Sequence, residues 1–394
     1  MERRRWLRRT LVFLLAAGAG VAAYVLGWNP DYAFRRTPVA RLPAESAHPA
    51  AEVRVLLTSD FGHERSLQRW RLVREMRKLQ GVTPFDLVLV GGDNVDGCGP
   101  DATLAGASAC EFEPDGNTVS ERFAPPVDGS FERLHDRAFA SLGASGPASA
   151  PPVFVALGNH DVATGDKCAV KGMDDRTLSR LRACLEVAHR TPTWHMPGRH
   201  YALDAGPIRL IVLDGNLLKG DYGGFRFEDE ERFVRTAAEP CGERTCFLVS
   251  HYPPATGGIE RRRDPPDVLA RVAAIERAAG GRARAWLSGH HHDLQHVRTP
   301  SGLDAFVFGN ASAARGVRHQ VTTPDGAEQL FFSTSWGDAI LEAAGDRWWV
   351  RIEDVQGRGL HCCTAVGAGR CEPVACGPVR PAPLPGARVV TTTR

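Results

Sequence analysis

Strand-length apolar runs alternate with stretches of helical period along most of this chain, and that alternation restricts it to a layered α/β fold. The runs are VRVLLTS from Val53, FDLVLVGG from Phe85, PVFVAL from Pro152, IRLIVLD from Ile208, CFLVSH from Cys246, ARAWLSG from Ala283 and DAFVFGN from Asp304. Between them lie SLQRWRLVREMRKLQ, FERLHDRAFASL, DEERFVRTAA and PDVLARVAAIERAA, which read as helices. The first run, the helix after it and the second run make a βαβ unit with a parallel strand pair. DRWWVRIEDV, around residue 350, predicts a closing strand.

Buried strands do not normally finish by presenting a polar group, yet five of these runs end in residue types that bind metals. They end in Asp60, in Asp93, in Asn159 with His160 and Asp161, in His251, and in His290 with His291 and His292. Parallel strands gather ligands outside their carboxyl ends. A single aspartate there is ordinarily a helix cap, and a single histidine a solvated loop residue. Five at corresponding places point to one site. Carboxylates, an amide oxygen and imidazoles form a mixed oxygen and nitrogen set, suited to first-row ions rather than to thiolate-bound metals. The set exceeds what one tetrahedral ion takes, so two metal ions are expected, drawn from Fe, Mn or Zn. Paired ions of this kind serve phosphate chemistry.

At these motifs the chain resembles the calcineurin-like metallophosphoesterases, specifically the purple acid phosphatase branch. That family orders its motifs as D-x-G, G-D-x-x-Y, G-N-H-(D/E), a strand-end His and G-H-x-H. This chain supplies DFG at 60–62, GDNVD at 92–96, GNHD at 158–161, SHYPP at 250–254 and GHHH at 289–292, in the same order. The similarity runs over about residues 53 to 312. The resemblance implies a two-sheet sandwich with a βαβαβ core flanked by helices. It also implies hydrolysis of phosphate monoesters by a metal-held hydroxide, with no covalent phosphoenzyme. A phosphodiesterase acting on nucleotides or lipid head groups, and a non-catalytic binding protein of the same fold, are the alternatives. Asp60 and His292 would bind the first metal, Asn159, His251 and His290 the second, and Asp93 would bridge them. His160 would stabilise the phosphoryl oxygens and help protonate the leaving group, with Asp161 orienting it.

The pattern departs from the family at the first metal. Asp96 stands where the purple enzymes keep the tyrosine that gives their colour. Gly62 stands where the wider superfamily keeps a histidine, and His63 is one residue further along. Either Asp96 ligates, or His63 swings in, or water completes the site. Asp96 or water is preferred, because one residue of displacement in a turn redirects a side chain. A colourless enzyme is the expectation. His291 is expected to face outward, Arg261 to Arg263 to form a solvated surface, and Asp214 to be structural.

A formal net charge of +2 over 394 residues gives no reason to expect a nucleic-acid partner. The arginines of RRRWLRR precede an uncharged run from Thr10 to Trp28, which as a helix would span roughly 28 Å at about 1.5 Å per residue. Residues 1–28 therefore read as a signal or membrane-anchor helix, and 29–52 as a linker. A metallophosphoesterase domain follows at 53–350, and a Cys-rich, then disordered, tail at 351–394. The arginines fit either a twin-arginine export signal or positive-inside flanks, and both place the domain outside the cytoplasm. The partners expected are a phosphate ester substrate and, if the helix is retained, a membrane. Export makes disulfides the default for the ten cysteines. The spacing suggests local pairs, Cys98 with Cys110, Cys168 with Cys184 and Cys241 with Cys246. The four tail cysteines are open to either pairing or a zinc site.

Overall fold

A computed structural model describes residues 51–62, 67–95, 97–145, 150–257, 267–311, 323, 326–377 and 389–392. The apolar N-terminal segment, His63, Asp96 and Arg261 to Arg263 lie outside the described residues. Among the described residues, no helix is long and apolar enough to cross a membrane.

β1 (Val53–Thr58) is buried along its whole length, and α1 (Leu67–Val82) leads into β2 (Leu87–Val90), which is buried likewise. Strands covered on both faces read as continuous apolar runs, which is why they were visible in the sequence. β1 and β2 are parallel, with Val55 opposite Leu87 and Thr58 opposite Val90. A long segment with helical turns between residues 129 and 145 then leads to β3 (Val153–Val155), α2 (Asp175–Ala188) and β4 (Trp194–His195). The chain next builds β5 (Tyr201–Ala205), β6 (Ile208–Val212), α3 (Asn216–Lys219), α4 (Phe227–Ala237), β7 (Thr245–Ser250), α5 (Val268–Ala278) and β8 (Ala283–Ser288). β9 (Leu294–Arg298), β10 (Asp304–Phe308) and β11 (Glu328–Ser333) complete that half.

β12 (Gly337–Ala344) crosses back and lies antiparallel to β1, and β13 (Arg347–Asp354), β14 (Gly359–Val366) and β15 (Glu372–Val374) extend the same sheet. The first sheet thus runs β15-β14-β13-β12-β1-β2-β3-β4. The second runs β11-β9-β10-β8-β7-β6-β5-β16, where β16 (Val389–Thr392) pairs with β5. The expected domain boundary at 350 falls inside β13, and the Cys-rich stretch adds two strands to the first sheet. The two sheets meet through aromatic side chains. Trp348 of β13 stands edge-on to Phe247 of β7, with ring centroids 5.2 Å apart, and to Phe306 of β10, at 6.4 Å. This mixed α/β double layer agrees with the expected sandwich.

Five disulfides use all ten cysteines. Cys241–Cys246 forms as spacing suggested, and the tail pairs as Cys362–Cys376 and Cys363–Cys371. The other two local pairs do not form: Cys98 bonds Cys168, and Cys110 bonds Cys184. The loop after β2 lies against the segment that leads into α2, so proximity in space overrides proximity in sequence. Disulfides in this number place the chain in an oxidising, exported compartment.

Candidate metal centre

The carboxyl ends of β1, β2 and β3 in one sheet and of β7 and β8 in the other deliver the strand-end residues to a common place. Asp60 follows β1 and its Oδ1 lies 3.1 Å from His292 Nε2, while its Oδ2 accepts the His290 backbone N–H at 2.9 Å. Asp93 follows β2, and its Oδ1 accepts the His160 backbone N–H at 2.9 Å while its Oδ2 lies 3.3 Å from His251 Nε2. Asp93 is common to two compact donor groups, Asp60–Asp93–His292 and Asp93–His251–His290. All four non-glycine residues with positive φ among the described residues are in this set: Asp60 at 57°, Asp93 at 53°, His290 at 72° and His292 at 50°. Left-handed backbone is unfavourable for L residues, and it clusters where function demands a particular side-chain direction.

The glycines of the motifs have a steric reason. A Cβ on Gly158 would fall on the Asp93 amide nitrogen and carboxylate. One on Gly289 would fall on Ser59 and lie 2.7 Å from Asp60 Oδ2. No other residue lets the loops approach the two aspartates this closely.

His251 shows best what the site is built for. Its Nδ1 lies 2.8 Å from the Gly91 carbonyl oxygen, so Nδ1–H donates there and Nε2 turns its lone pair to the site. Around that nitrogen stand Asn159 Oδ1 at 3.1 Å, His290 Nδ1 at 3.2 Å and Asp93 Oδ2 at 3.3 Å. Four lone-pair atoms converge, and a positive charge among them relieves their repulsion. A proton on His251 is one such charge. Burial lowers the affinity of His251 for it, but the neighbouring Asp93 carboxylate overcomes that and raises the pKa to about 9. Asp93 responds in kind: burial raises it, and the His251 charge holds it well below the ordinary carboxylate range. Burial and the adjoining His251 charge push His290 far down, keeping it a neutral donor. A metal cation is the other charge that fits. The donors are of the mixed oxygen and nitrogen type, and the Gly91 contact is the usual outer partner of a metal-binding imidazole.

Asp161, expected to orient the His160 ring, braces loops. It accepts the N–H groups of Gly158 at 2.7 Å, Asn94 at 2.8 Å and Val95 at 2.9 Å, together with Asn94 Nδ2 at 3.1 Å. The His160 ring Nδ1 instead lies 3.0 Å from the Gly97 carbonyl. Behind Asp161 is Glu186 of α2, fully buried, with its pKa raised well above normal by burial and then by the Asp161 charge. Burial and the charge of Asp93 raise Asp161 itself to about 6. Glu186 was missed in the sequence, where one acid in a helix reads as surface; its place among the buried Cys184, Leu185, Val187 and Ala188 was the available signal. His291, expected to face outward, is 3% exposed, and its ring stands edge-on to His290 at 5.0 Å. Asp214 is structural as expected, bound to Arg199 and to the Tyr222 hydroxyl. A further group outside the site, His296, His361 and Cys363, has its sulfur in the disulfide to Cys371.

Convergent carboxylates, imidazoles and an amide oxygen at the strand ends of two facing sheets define a metallophosphoesterase-type hydrolase. The family profile of the calcineurin-like phosphoesterases matches residues 53–294, and the chain belongs to that family. Solved structures of similar fold include GAP50, the anchor in the inner membrane complex of Plasmodium, at 12% identity and TM-score 0.58, covering 81% of this chain and 90% of that one. PhoD matches at 13% identity and TM-score 0.52, covering 86% and 74%. Purple acid phosphatase PPD1 from yellow lupin (Lupinus luteus) seeds matches at 12% identity and TM-score 0.51, covering 83% and 57%. At such identities these likenesses establish the fold alone. No curated protein sequence matches the chain.

Proposed function

We propose that the protein is a dinuclear metal-dependent phosphatase that hydrolyses phosphate monoesters. The observation that carries the reading is the sharing of Asp93 by two donor groups, with left-handed backbone spent on four of their members. Asp60, Asp93 and His292 would hold one ion, and Asp93, Asn159, His251 and His290 the other. When bound, such ions supply Lewis acidity toward phosphate oxygens and activate water. The chain's own residues do the rest. The Gly97 carbonyl fixes the His160 tautomer by accepting from Nδ1, which leaves Nε2 to exchange a proton with a leaving-group oxygen. Asp161 holds the loop carrying Asn159 and His160 against the one carrying Asp93. The reading is tested by metal analysis and hydrolysis on one preparation, comparing a monoester with its diester and including Asp93→Asn. Two ions per chain, faster monoester turnover and an inactive variant are expected. Fewer than one ion per chain, or preference for the diester, refutes it.

A further inference from the structure

Beside the metal centre a cleft of about 840 Å³ opens at Asn159, with Arg176, Lys219, Tyr222, Gly224 and Arg226 among its walls. It is cationic. Its acids are Asp175 and Asp221, and Asp221 is already engaged by Arg271 at 3.3 Å and by the Phe227 N–H at 3.2 Å. Arg226 faces Glu228 at 3.4 Å on the exposed rim. Arg176, in the first turn of α2, lies close against Gly224, where a Cβ would come within 2.9 Å of its guanidinium. Lys219, at the end of α3, links cleft and centre: its Nζ is 4.5 Å from the Tyr252 ring, which in turn is 4.4 Å from that of His290.

The Phe225 ring in the wall is buried and already covered by arginines. Arg199 covers Phe225 at 3.9 Å and Arg180 approaches it at 4.8 Å, while the Tyr222 hydroxyl is held by Asp214. What the cleft offers a ligand is positive charge and room. We propose that it receives the leaving group, and that the substrates are phosphate monoesters whose leaving group bears a second anionic group, bound by Lys219 and Arg176. The inference rests on the phosphatase reading above. A second phosphate and a carboxylate share this chemistry, and the experiment separates them.

Three esters on short unbranched carbon chains are compared on the metal-loaded protein: propyl phosphate, phosphoglycolate and propane-1,3-diyl bisphosphate. An anionic ester should exceed propyl phosphate about tenfold in kcat/KM, because charge-assisted contacts typically discriminate by that factor or more. Whichever anionic ester leads identifies the second group. Arg176→Gln and Lys219→Gln should each reduce the anionic-to-neutral ratio about threefold, chiefly through KM, and the double variant should abolish the preference. Calorimetric binding of pentane-1,5-diyl bisphosphonate, whose two groups are spaced as in the bisphosphate ester, should weaken in parallel, which reads the cleft without turnover. Equal use of all three esters, or a ratio indifferent to both substitutions, overturns the inference and leaves the phosphatase standing. Failure to hydrolyse any of them overturns the phosphatase reading, and the inference with it.

Discussion

Substitutions at Asp93 separate its chemical role from its structural one. The residue has φ 53°, and its Oδ1 accepts the His160 backbone N–H at 2.9 Å. Asparagine removes the charge but tolerates the left-handed backbone and keeps an acceptor oxygen for that N–H. Alanine loses the charge equally, must hold a Cβ in the unfavourable region at about 1 kcal/mol, and leaves a donor unmet at about 1 kcal/mol more. Glycine has no backbone penalty there, but it loses the hydrogen bond and about 0.5–1 kcal/mol of chain entropy. Urea unfolding of the metal-free proteins should therefore rank them Asn, then Gly, then Ala, with Asn and Ala about 2 kcal/mol apart. All three should lack turnover. If Asn and Ala unfold together within 0.5 kcal/mol, roughly the limit of such comparisons, backbone conformation at the centre is not the constraint argued here.

Three further outcomes are expected. Peptide mapping without reduction should recover Cys98 with Cys168 and Cys110 with Cys184, and removing the latter bridge, which closes a span of 74 residues, should destabilise by about 4 kcal/mol in denaturant titration. Burial lowers His135 from 6.5 to about 3, so the fold requires the neutral ring and loses stability as pH falls from 6.5 toward 3; wild type should lose about 2 kcal/mol more than His135→Gln between pH 7 and 5. With Asp96 in place of the colour-giving tyrosine, the iron-loaded, oxidised protein should show no intense visible band in its absorption spectrum.

The parallel strands and the residues at their ends were legible because both are local. A strand covered on both faces must be apolar throughout, and the polar residue that ends it is conspicuous for that reason. The pairing partner of Cys110 was not local: it depends on how the loop after β2 settles against α2, and nothing in the spacing encodes that. β14 and β15 were hidden for a related reason. EPV lies at the sheet edge and buries little, while GLHCCTAV buries only alternate residues, His361, Cys363 and Ala365, so neither forms a continuous apolar run.

The errors closest to the chemistry share one cause. His291 and Asp161 each adjoin a proposed ligand or acid in sequence, and the expectations for them come from their places in the family motifs. The backbone decides otherwise. His290 and His292 both take left-handed φ, and His291, between them, is turned into the protein. Asp161 turns into the loops that hold Asp93, where the buried Glu186 backs it. The candidate metal-binding residues follow a local strand–loop rule and can be read in order along the chain. Those that hold them in place are recruited from wherever the fold brings a helix or loop alongside, so Asn94 and Glu186 become visible only in three dimensions.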